Sequence, residues 1–409
     1  MRSDCTALPT RRPCFLAVVA LLLITPVVAA CSGSSGGATK STSTAGATPT
    51  TTATTTTVNP DDGLKLNQIQ VIGTHNSYHL AADPKENALL AKLSPTQAAQ
   101  RRYSHAPLPT QFGAEKVRQI ELDVYVDTKG GLYAHPRLRA EAGLGPYDEP
   151  AMATPGPKVM HEQDVDYHSV CVALQICLTQ AKTWSDAHPG HVPLFIDIDF
   201  KDGPLIFNVP GQAKPEKWTT AQMDALDAQI LSIFPRDQII TPDDVRGSYP
   251  TLNAAVKADH WPTLAASRGK VMFLMTNPEP YRSIYLVGHA DLARRLLFTN
   301  AQPGQPDAAY ADLDDPIAKG AEIRSLVQQG YLVRTRSDTD DNQAHTGDTA
   351  QRDAALASGA QIVSTDYPGP DGARPETGNA YKVELPGFLP GRCNPVTAPA
   401  SCVDASIGG

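Results

Sequence analysis

The sequence predicts an α/β fold, a single (β/α)8 barrel, for the part of the chain that follows residue 60. Short apolar runs recur there, and stretches long enough for helices and loops separate them. Polar residues stand at the ends of these runs, where barrel enzymes carry their sites. With 41% hydrophobic and 19% charged residues, the chain is apolar enough to fold.

The apolar runs predict eight strands, at residues 69–74, 117–126, 131–135, 192–200, 270–276, 296–299, 331–336 and 361–365. The third of these has the weakest pattern, and residues 159–161 are its alternative. Helical periodicity predicts helices between several strands, at residues 221–234, 290–297, 316–329 and 349–358. This alternation favours one barrel over two domains.

Residues 1–30 have the pattern of an export signal: two arginines, an apolar run too short to span a bilayer, and small residues that end at Cys31. Residues 28–31, Val-Ala-Ala-Cys, resemble a bacterial lipobox, in which Cys31 is acylated and becomes the mature N-terminus. An ordinary signal peptide cleaved nearby is the alternative, and the export route stays open. We therefore expect an extracytoplasmic protein that is anchored to the bacterial membrane or released from it.

Residues 31–60 are rich in Ser, Thr, Gly and Ala, a composition that predicts a flexible tether. The folded domain is predicted at 61–380, followed by a Pro- and Gly-rich tail at 381–409. The formal net charge of −8 makes nucleic-acid binding a poor interpretation. We expect a monomer.

Four cysteines follow the leader, and an even number in an exported protein indicates disulfides. Local pairing, Cys171 with Cys177 and Cys393 with Cys402, is the simplest of three connectivities. A zinc site is the alternative, with ligands Cys171, Cys177, His161 and His168.

Polar residues gather at the carboxyl ends of the predicted strands. Glu121 and Asp123 are two apart and share one side of the second strand. The other strand ends supply His75, Asn76, His135, Asp197, Asp199, Lys201, Arg334, Arg336 and Asp366. Burying several carboxylates together costs too much unless a cation or a proton lies among them, so this end of the barrel is the predicted site.

Several motifs resemble the calcium-dependent phosphatidylinositol-specific phospholipases C. They are Gly-Thr-His-Asn-Ser-Tyr at 73–78, Glu-Leu-Asp at 121–123, Ala-His-Pro at 134–136 and the segment 193–199. The resemblance spans about residues 67–368 and is closest to the bacterial branch of the family. It implies a distorted TIM barrel, a Ca²⁺ cofactor and a phospholipid substrate at a membrane surface.

The resemblance also implies roles for single residues. His75 and His135 match the two catalytic histidines, and the Ca²⁺ ligands match Asn76, Glu121, Asp123 and Asp199. A ligand carboxylate, Glu121 or Asp199, would take the proton of the inositol 2-hydroxyl, while Lys201 would contact the substrate. Arg334 is a further candidate substrate contact, from its place near a strand end and not from the resemblance. His75 would then donate to a phosphoryl oxygen, and His135 would protonate the departing diacylglycerol oxygen to leave a cyclic inositol phosphate.

Two alternatives stay open at this point. Glycerophosphodiester phosphodiesterases share the barrel and a Glu-x-Asp strand, but they carry His-Arg-Gly where this chain has His75-Asn76-Ser77. A non-catalytic surface barrel could bind lipid headgroups or glycans. The presence of both His75 and His135 argues against this second alternative.

Overall fold

The structure is a computed structural model that describes residues 61, 63–205, 209–339 and 342–408. The predicted signal peptide, the lipidation site Cys31 and the tether up to residue 60 lie outside the described residues. The described residues all belong to one compact unit, Thr57–Gly409. None of the described helices is long and apolar enough to cross a membrane.

Eight parallel strands form the barrel. They are β1 (Ile69–Thr74), β2 (Gln119–Tyr125), β3 (Leu194–Lys201), β4 (Val271–Met275), β5 (Leu297–Thr299), β6 (Tyr310–Asp312), β7 (Leu332–Arg336) and β8 (Ile362–Thr365). Each strand pairs with the next in chain order, and β8 pairs back to β1. Between β5 and β6 the link is a single parallel bridge, Asn300 to Tyr310. The predicted distorted TIM barrel is therefore confirmed.

Five longer helices accompany the strands: α1 (Pro84–Leu93), α2 (Leu174–Ala187), α3 (Thr220–Ile233), α4 (Pro316–Gln328) and α5 (Ala350–Ser358). Shorter helices lie at Pro95–Gln100, Leu108–Gly113, Arg137–Glu141, Pro242–Arg246, Leu252–Lys257, Leu264–Ser267, Tyr281–Tyr285, Asn342–Thr346, Arg374–Thr377 and Asp404–Ile407. Single 3-10 turns occur at Leu66–Gln68, Pro150–Ala153, Arg236–Gln238, Ala290–Leu292 and Pro386–Phe388. Two-residue strands occur at Lys158–Val159, Ile239–Ile240 and Arg392–Cys393.

Two sequence predictions about these elements are wrong. Residues 131–135 form turns rather than a strand, and the alternative at 159–161 contributes only Lys158–Val159, which pairs antiparallel with β2. The missing barrel strand is β6. The helix predicted at 290–297 is a 3-10 turn followed by the start of β5, because the barrel needs the apolar residues from Leu297 onward as a strand.

The register of β2 and β3 places the predicted site residues side by side. Glu121 pairs with Asp197 and Asp123 with Asp199, so four carboxylates occupy two successive levels of the two strands. Gly73 of β1 makes room next to them, since a Cβ on it would come within 1.7 Å of the Gln119 side-chain oxygen. Gln119 in turn donates a 2.8 Å hydrogen bond to Asp197.

Both predicted local disulfides are present, Cys171–Cys177 and Cys393–Cys402. The zinc alternative is wrong, since its two cysteines are joined and its two histidines bind carboxylates elsewhere. In the predicted tail, Cys393 pairs antiparallel with Ile69 of β1. Disulfides of this kind are typical of oxidising compartments outside the cytoplasm.

Candidate active site

Three carboxylates at the carboxyl ends of β2 and β3 form a compact group, which we call the acidic cluster: Glu121, Asp123 and Asp199. One oxygen of each lies within 4.8 Å of the others. Glu121 and Asp123 are buried, and Asp199 is partly exposed. Carboxylate oxygens at this spacing are the ligands that Ca²⁺ prefers.

Two cations offset part of the negative charge. Lys201 Nζ lies 2.6 Å from Asp199 Oδ2 and 3.2 Å from Asp123 Oδ2. The Arg334 guanidinium bonds Glu121 and lies 2.8 Å from Asp312 Oδ2, with its side chain only 1% exposed. Arg334 is thus buried among carboxylates, whereas Lys201 reaches the surface of the site.

The acidic cluster still has unused capacity for a cation. Asp123 Oδ1 is buried without a hydrogen-bond partner in the described part of the chain. Burial raises the pKa of Asp123 well above its ordinary value, and Asp199 and Glu121 raise it further against the opposing effect of Lys201. A divalent cation would remove this penalty, so these residues fit Ca²⁺.

His75 follows β1 and meets the acidic cluster from the neighbouring strand. Its Nδ1 lies 2.9 Å from Asp366 Oδ1, and its Nε2 lies 3.9 Å from Glu121 Oε1. Burial and the charge of Arg336 lower the pKa of His75 well below its usual value. The ring is therefore neutral, donates through Nδ1 to Asp366 and accepts a 3.3 Å hydrogen bond from Arg336 Nη1 through Nε2.

Asn76 lies beside Glu121 because the next residue, Ser77, bonds the Glu121 backbone in both directions. Its φ of 44° is in the left-handed region, which Asn tolerates better than most residues. The side chain is buried, and its Oδ1 accepts a 3.1 Å hydrogen bond from Tyr78. It can therefore present one oxygen next to the acidic cluster.

His135, the predicted second catalytic histidine, and His161 differ sharply in their surroundings. His135 is exposed in a turn and makes no hydrogen bond or ion pair with a residue that the structure describes. His161 comes two residues after the short strand Lys158–Val159 that pairs with β2, and the intervening Met160 N donates to Asp123 O at 3.3 Å. The backbone next to His161, rather than that next to His135, thus bonds the strand that carries Glu121 and Asp123.

His161 and His79 form a pair centred on Asp166, in which His79 is buried and His161 is partly exposed. Its Nδ1 lies 2.8 Å from Asp166 Oδ2, and His79 Nε2 lies 3.0 Å from Asp166 Oδ1. His79 faces acceptors with both nitrogens, since its Nδ1 meets Tyr103 O at 3.1 Å. Although burial opposes it, Asp166 raises the pKa of His79, so this ring carries the positive charge.

A family comparison decides the identity of the chain. The model of the Ca²⁺-dependent phosphoinositide phospholipases C matches residues 64–395. The chain belongs to this family. It is a phosphoric diester hydrolase of the phosphoinositide phospholipase C class with Ca²⁺ as its cofactor, and the acidic cluster could bind such an ion.

Three solved structures of bacterial inositol-lipid phospholipases C resemble the chain in part. A calcium-dependent phospholipase C from Pseudomonas sp. is 16% identical, with 75% of this chain and 92% of that one covered and a TM-score of 0.46. The Streptomyces antibioticus enzyme is 19% identical, with 74% of this chain and 95% of that one covered and a TM-score of 0.46. The Listeria monocytogenes enzyme is 13% identical, with 75% of this chain and 91% of that one covered and a TM-score of 0.40. The comparison with curated proteins gives no significant match.

Sequence reasoning leaves several contacts of this site unassigned. Asp366 is predicted as a polar strand end without a role, and its bond to His75 needs the closure of β8 on β1. Asn277 bonds Asp199 from the loop after β4, which no motif marks. For His161 the one available signal is the Val-Met-His sequence at 159–161, whose first residue pairs antiparallel with Val124 of β2.

Proposed function

We propose that this enzyme cleaves phosphatidylinositol to diacylglycerol and a cyclic inositol phosphate, with Ca²⁺ held by the acidic cluster and Asn76. The observation that carries the proposal is the acidic cluster beside the His75–Asp366 pair in a chain of this family. Bound Ca²⁺ supplies positive charge that lowers the pKa of a nearby hydroxyl and offsets charge on the phosphate.

His75 is suited to accept the proton of the inositol 2-hydroxyl. Asp366 fixes the Nδ1–H tautomer, and the neutral ring can offer its Nε2 lone pair once the 3.3 Å hydrogen bond from Arg336 Nη1 gives way to substrate. Glu121 is less suited to this step, because the Arg334 guanidinium already binds its carboxylate. This division differs from the sequence-based assignment, in which His75 donated a proton and a ligand carboxylate accepted one.

His161 is suited to donate the proton that the leaving group needs. Asp166 accepts from Nδ1, and Nε2 has no hydrogen-bond partner among the described residues. As the 2-hydroxyl oxygen attacks phosphorus, the bond to the diacylglycerol oxygen breaks, and that oxygen takes the proton of His161 Nε2. We propose this role for His161 in place of His135.

Lys201 and Arg334 take different parts. Lys201 is 30% exposed beside Asp199 and can move to meet a phosphate oxygen. Arg334 is too deeply buried for substrate and holds Glu121 in place through the same guanidinium that binds Asp312. We propose Arg334 as a positioning residue rather than a substrate contact.

The decisive assay incubates the purified protein with phosphatidylinositol, with Ca²⁺ or with a chelator, and identifies products by phosphorus NMR. Diacylglycerol and a cyclic inositol phosphate should form only with Ca²⁺. Release of glycerol 3-phosphate from glycerophosphoinositol would support the glycerophosphodiesterase alternative instead. Binding of headgroups without turnover would support the non-catalytic alternative.

We also propose that acylated Cys31 and the tether hold a monomeric enzyme at the outer side of a bacterial membrane. Cys31→Ser should shift the protein from the membrane fraction to the soluble fraction and leave cleavage of dispersed substrate unchanged. An unchanged membrane fraction would contradict acylation at this residue.

A further inference from the structure

The amino-terminal end of the barrel carries a pocket of about 260 Å³, which we call the basic pocket. Its wall includes Lys116 and Arg118, which precede β2, Trp184 in the last turn of α2, and His188 and His191 in the loop between α2 and β3. None of its lining residues is acidic. It therefore has the opposite charge to the acidic cluster at the other end of the same strands.

Arg118 is the unusual member of the pocket, since it is a buried cation without an anionic partner. Its side chain is only 3% exposed, yet no carboxylate of the described residues forms an ion pair with it. Nη1 donates to Phe112 O and to Val117 O, both at 2.8 Å. Nε is buried and has no hydrogen-bond partner in the described part of the chain. A buried donor on a cation is costly to leave unpaired.

The charge of Arg118 is present at neutral pH. Burial lowers the pKa of its guanidinium to about 10, which still keeps the group protonated. Burial, and after it the charge of Arg118 among other causes, lower the pKa of His191 to about 4. At neutral pH the His191 imidazole is thus neutral, whereas the Arg118 guanidinium stays protonated.

The other walls hold the guanidinium in a fixed orientation. Arg118 Cζ lies 5.0 Å from the centre of the Trp184 ring. The His188 ring stacks on Trp184, with the two ring centres 4.3 Å apart. Lys116 stands at the rim with a left-handed φ of 60° and adds a second cation. A rigid guanidinium with an accessory ammonium is a common arrangement for recognising tetrahedral oxyanions.

We propose that the basic pocket binds a phosphate group, through Arg118 with help from Lys116. The site is separate from the catalytic one. Glu121 and Asp123 lie three and five residues further along β2, which corresponds to roughly 10 and 17 Å in an extended strand. The ligand chemistry fits either free phosphate or the phosphate of a glycerophosphate headgroup.

The test titrates inorganic phosphate into the full-length protein with chelator present and ionic strength held constant. Chelation keeps Ca²⁺ from attracting phosphate to the acidic cluster. Binding is followed by NMR of the Trp184 indole N–H, which Trp184→Phe identifies. We expect a saturable shift of this signal, and chloride at equal ionic strength should not cause it.

Variants locate the binding. Arg118→Met should weaken phosphate binding at least about tenfold, because the fixed guanidinium is lost. Lys116→Met, at the rim, should weaken it about threefold without affecting the fold. Arg324→Met, an exposed charge elsewhere on the surface, should leave the affinity unchanged.

Glycerol 3-phosphate separates the two sources of the ligand. Equal affinity for inorganic phosphate and glycerol 3-phosphate assigns the pocket to free phosphate. Tighter binding of glycerol 3-phosphate assigns it to a lipid headgroup. If the wild type shows no saturable shift, or if Lys116→Met and Arg118→Met bind as the wild type does, the proposal is overturned. Should Arg118→Met fail to fold, the result with Lys116→Met decides alone.

Discussion

The two ends of the barrel carry opposite surplus charges on the same strands. At the carboxyl end, the three carboxylates of the acidic cluster exceed the two cations that neighbour them, Lys201 and Arg334. At its amino end, Arg118 has no carboxylate partner within the described residues. Between the ends, Arg334 is matched by Asp197 and Asp312. Paired charge therefore marks structure in this barrel, and unpaired buried charge marks places for a ligand of opposite sign.

The largest expected effect at the acidic end concerns the leaving group. His161→Ala should slow cleavage of phosphatidylinositol by about 10²- to 10⁴-fold, since an alkoxide needs a proton as it departs. With an inositol nitrophenyl phosphate, the loss should be far smaller, because nitrophenolate leaves unprotonated.

His135→Ala is the matched control and should change neither rate more than about threefold, since a side chain outside the machinery leaves transition-state stabilisation intact. His75→Ala should slow both substrates, because the 2-hydroxyl must lose its proton whichever group departs. A large loss for His135→Ala on phosphatidylinositol alone would restore the assignment made from the motifs.

Arg334→Met tests the paired charge between the two ends. It leaves buried carboxylates without their cation, so we expect it to lower the free energy of unfolding by about 3–5 kcal/mol. Urea denaturation with and without Ca²⁺ measures this. A loss below about 1 kcal/mol would mean that the Asp312 and Glu121 carboxylates are not held as ions by Arg334.

Arg118→Met should have a much smaller effect on stability than Arg334→Met. The change removes an unpaired buried charge but also its packing on Trp184, so we expect a net change within about 1 kcal/mol in phosphate-free buffer. Denaturation in phosphate should widen the difference in favour of the wild type. A loss as large as that of Arg334→Met would show that Arg118 is a structural cation like Arg334.

The sequence was sufficient for the parts of the fold that local patterns specify. The apolar runs of β1, β2 and β3 identified these strands, and the alternation of Glu121 with Asp123 placed both on one face. β6 was missed because it has only three residues, Tyr310–Asp312, without a long apolar run. Its strand character comes from pairing with β7.

The site was predicted only in part for a related reason. The resemblance assigns His135 as the second catalytic histidine, whereas we propose His161, because an antiparallel pair of Lys158–Val159 with β2 lies just before it. The role of Arg334 could not be read from its position in the sequence, because the four carboxylates around it come from three other strands and a loop. Arg118 has no local signal at all, since its lack of a partner exists only in the folded chain.

The most direct test of the central claim is calorimetric titration of Ca²⁺ into the protein without substrate. We expect one Ca²⁺ per chain in the wild type and at least about tenfold weaker binding for Asp123→Asn, because the amide keeps an oxygen but loses the charge. Asp186→Asn, at an exposed carboxylate of α2, should bind as the wild type does. Undetectable binding in the wild type, or equal affinity in Asp123→Asn, would contradict a calcium site at Glu121, Asp123 and Asp199.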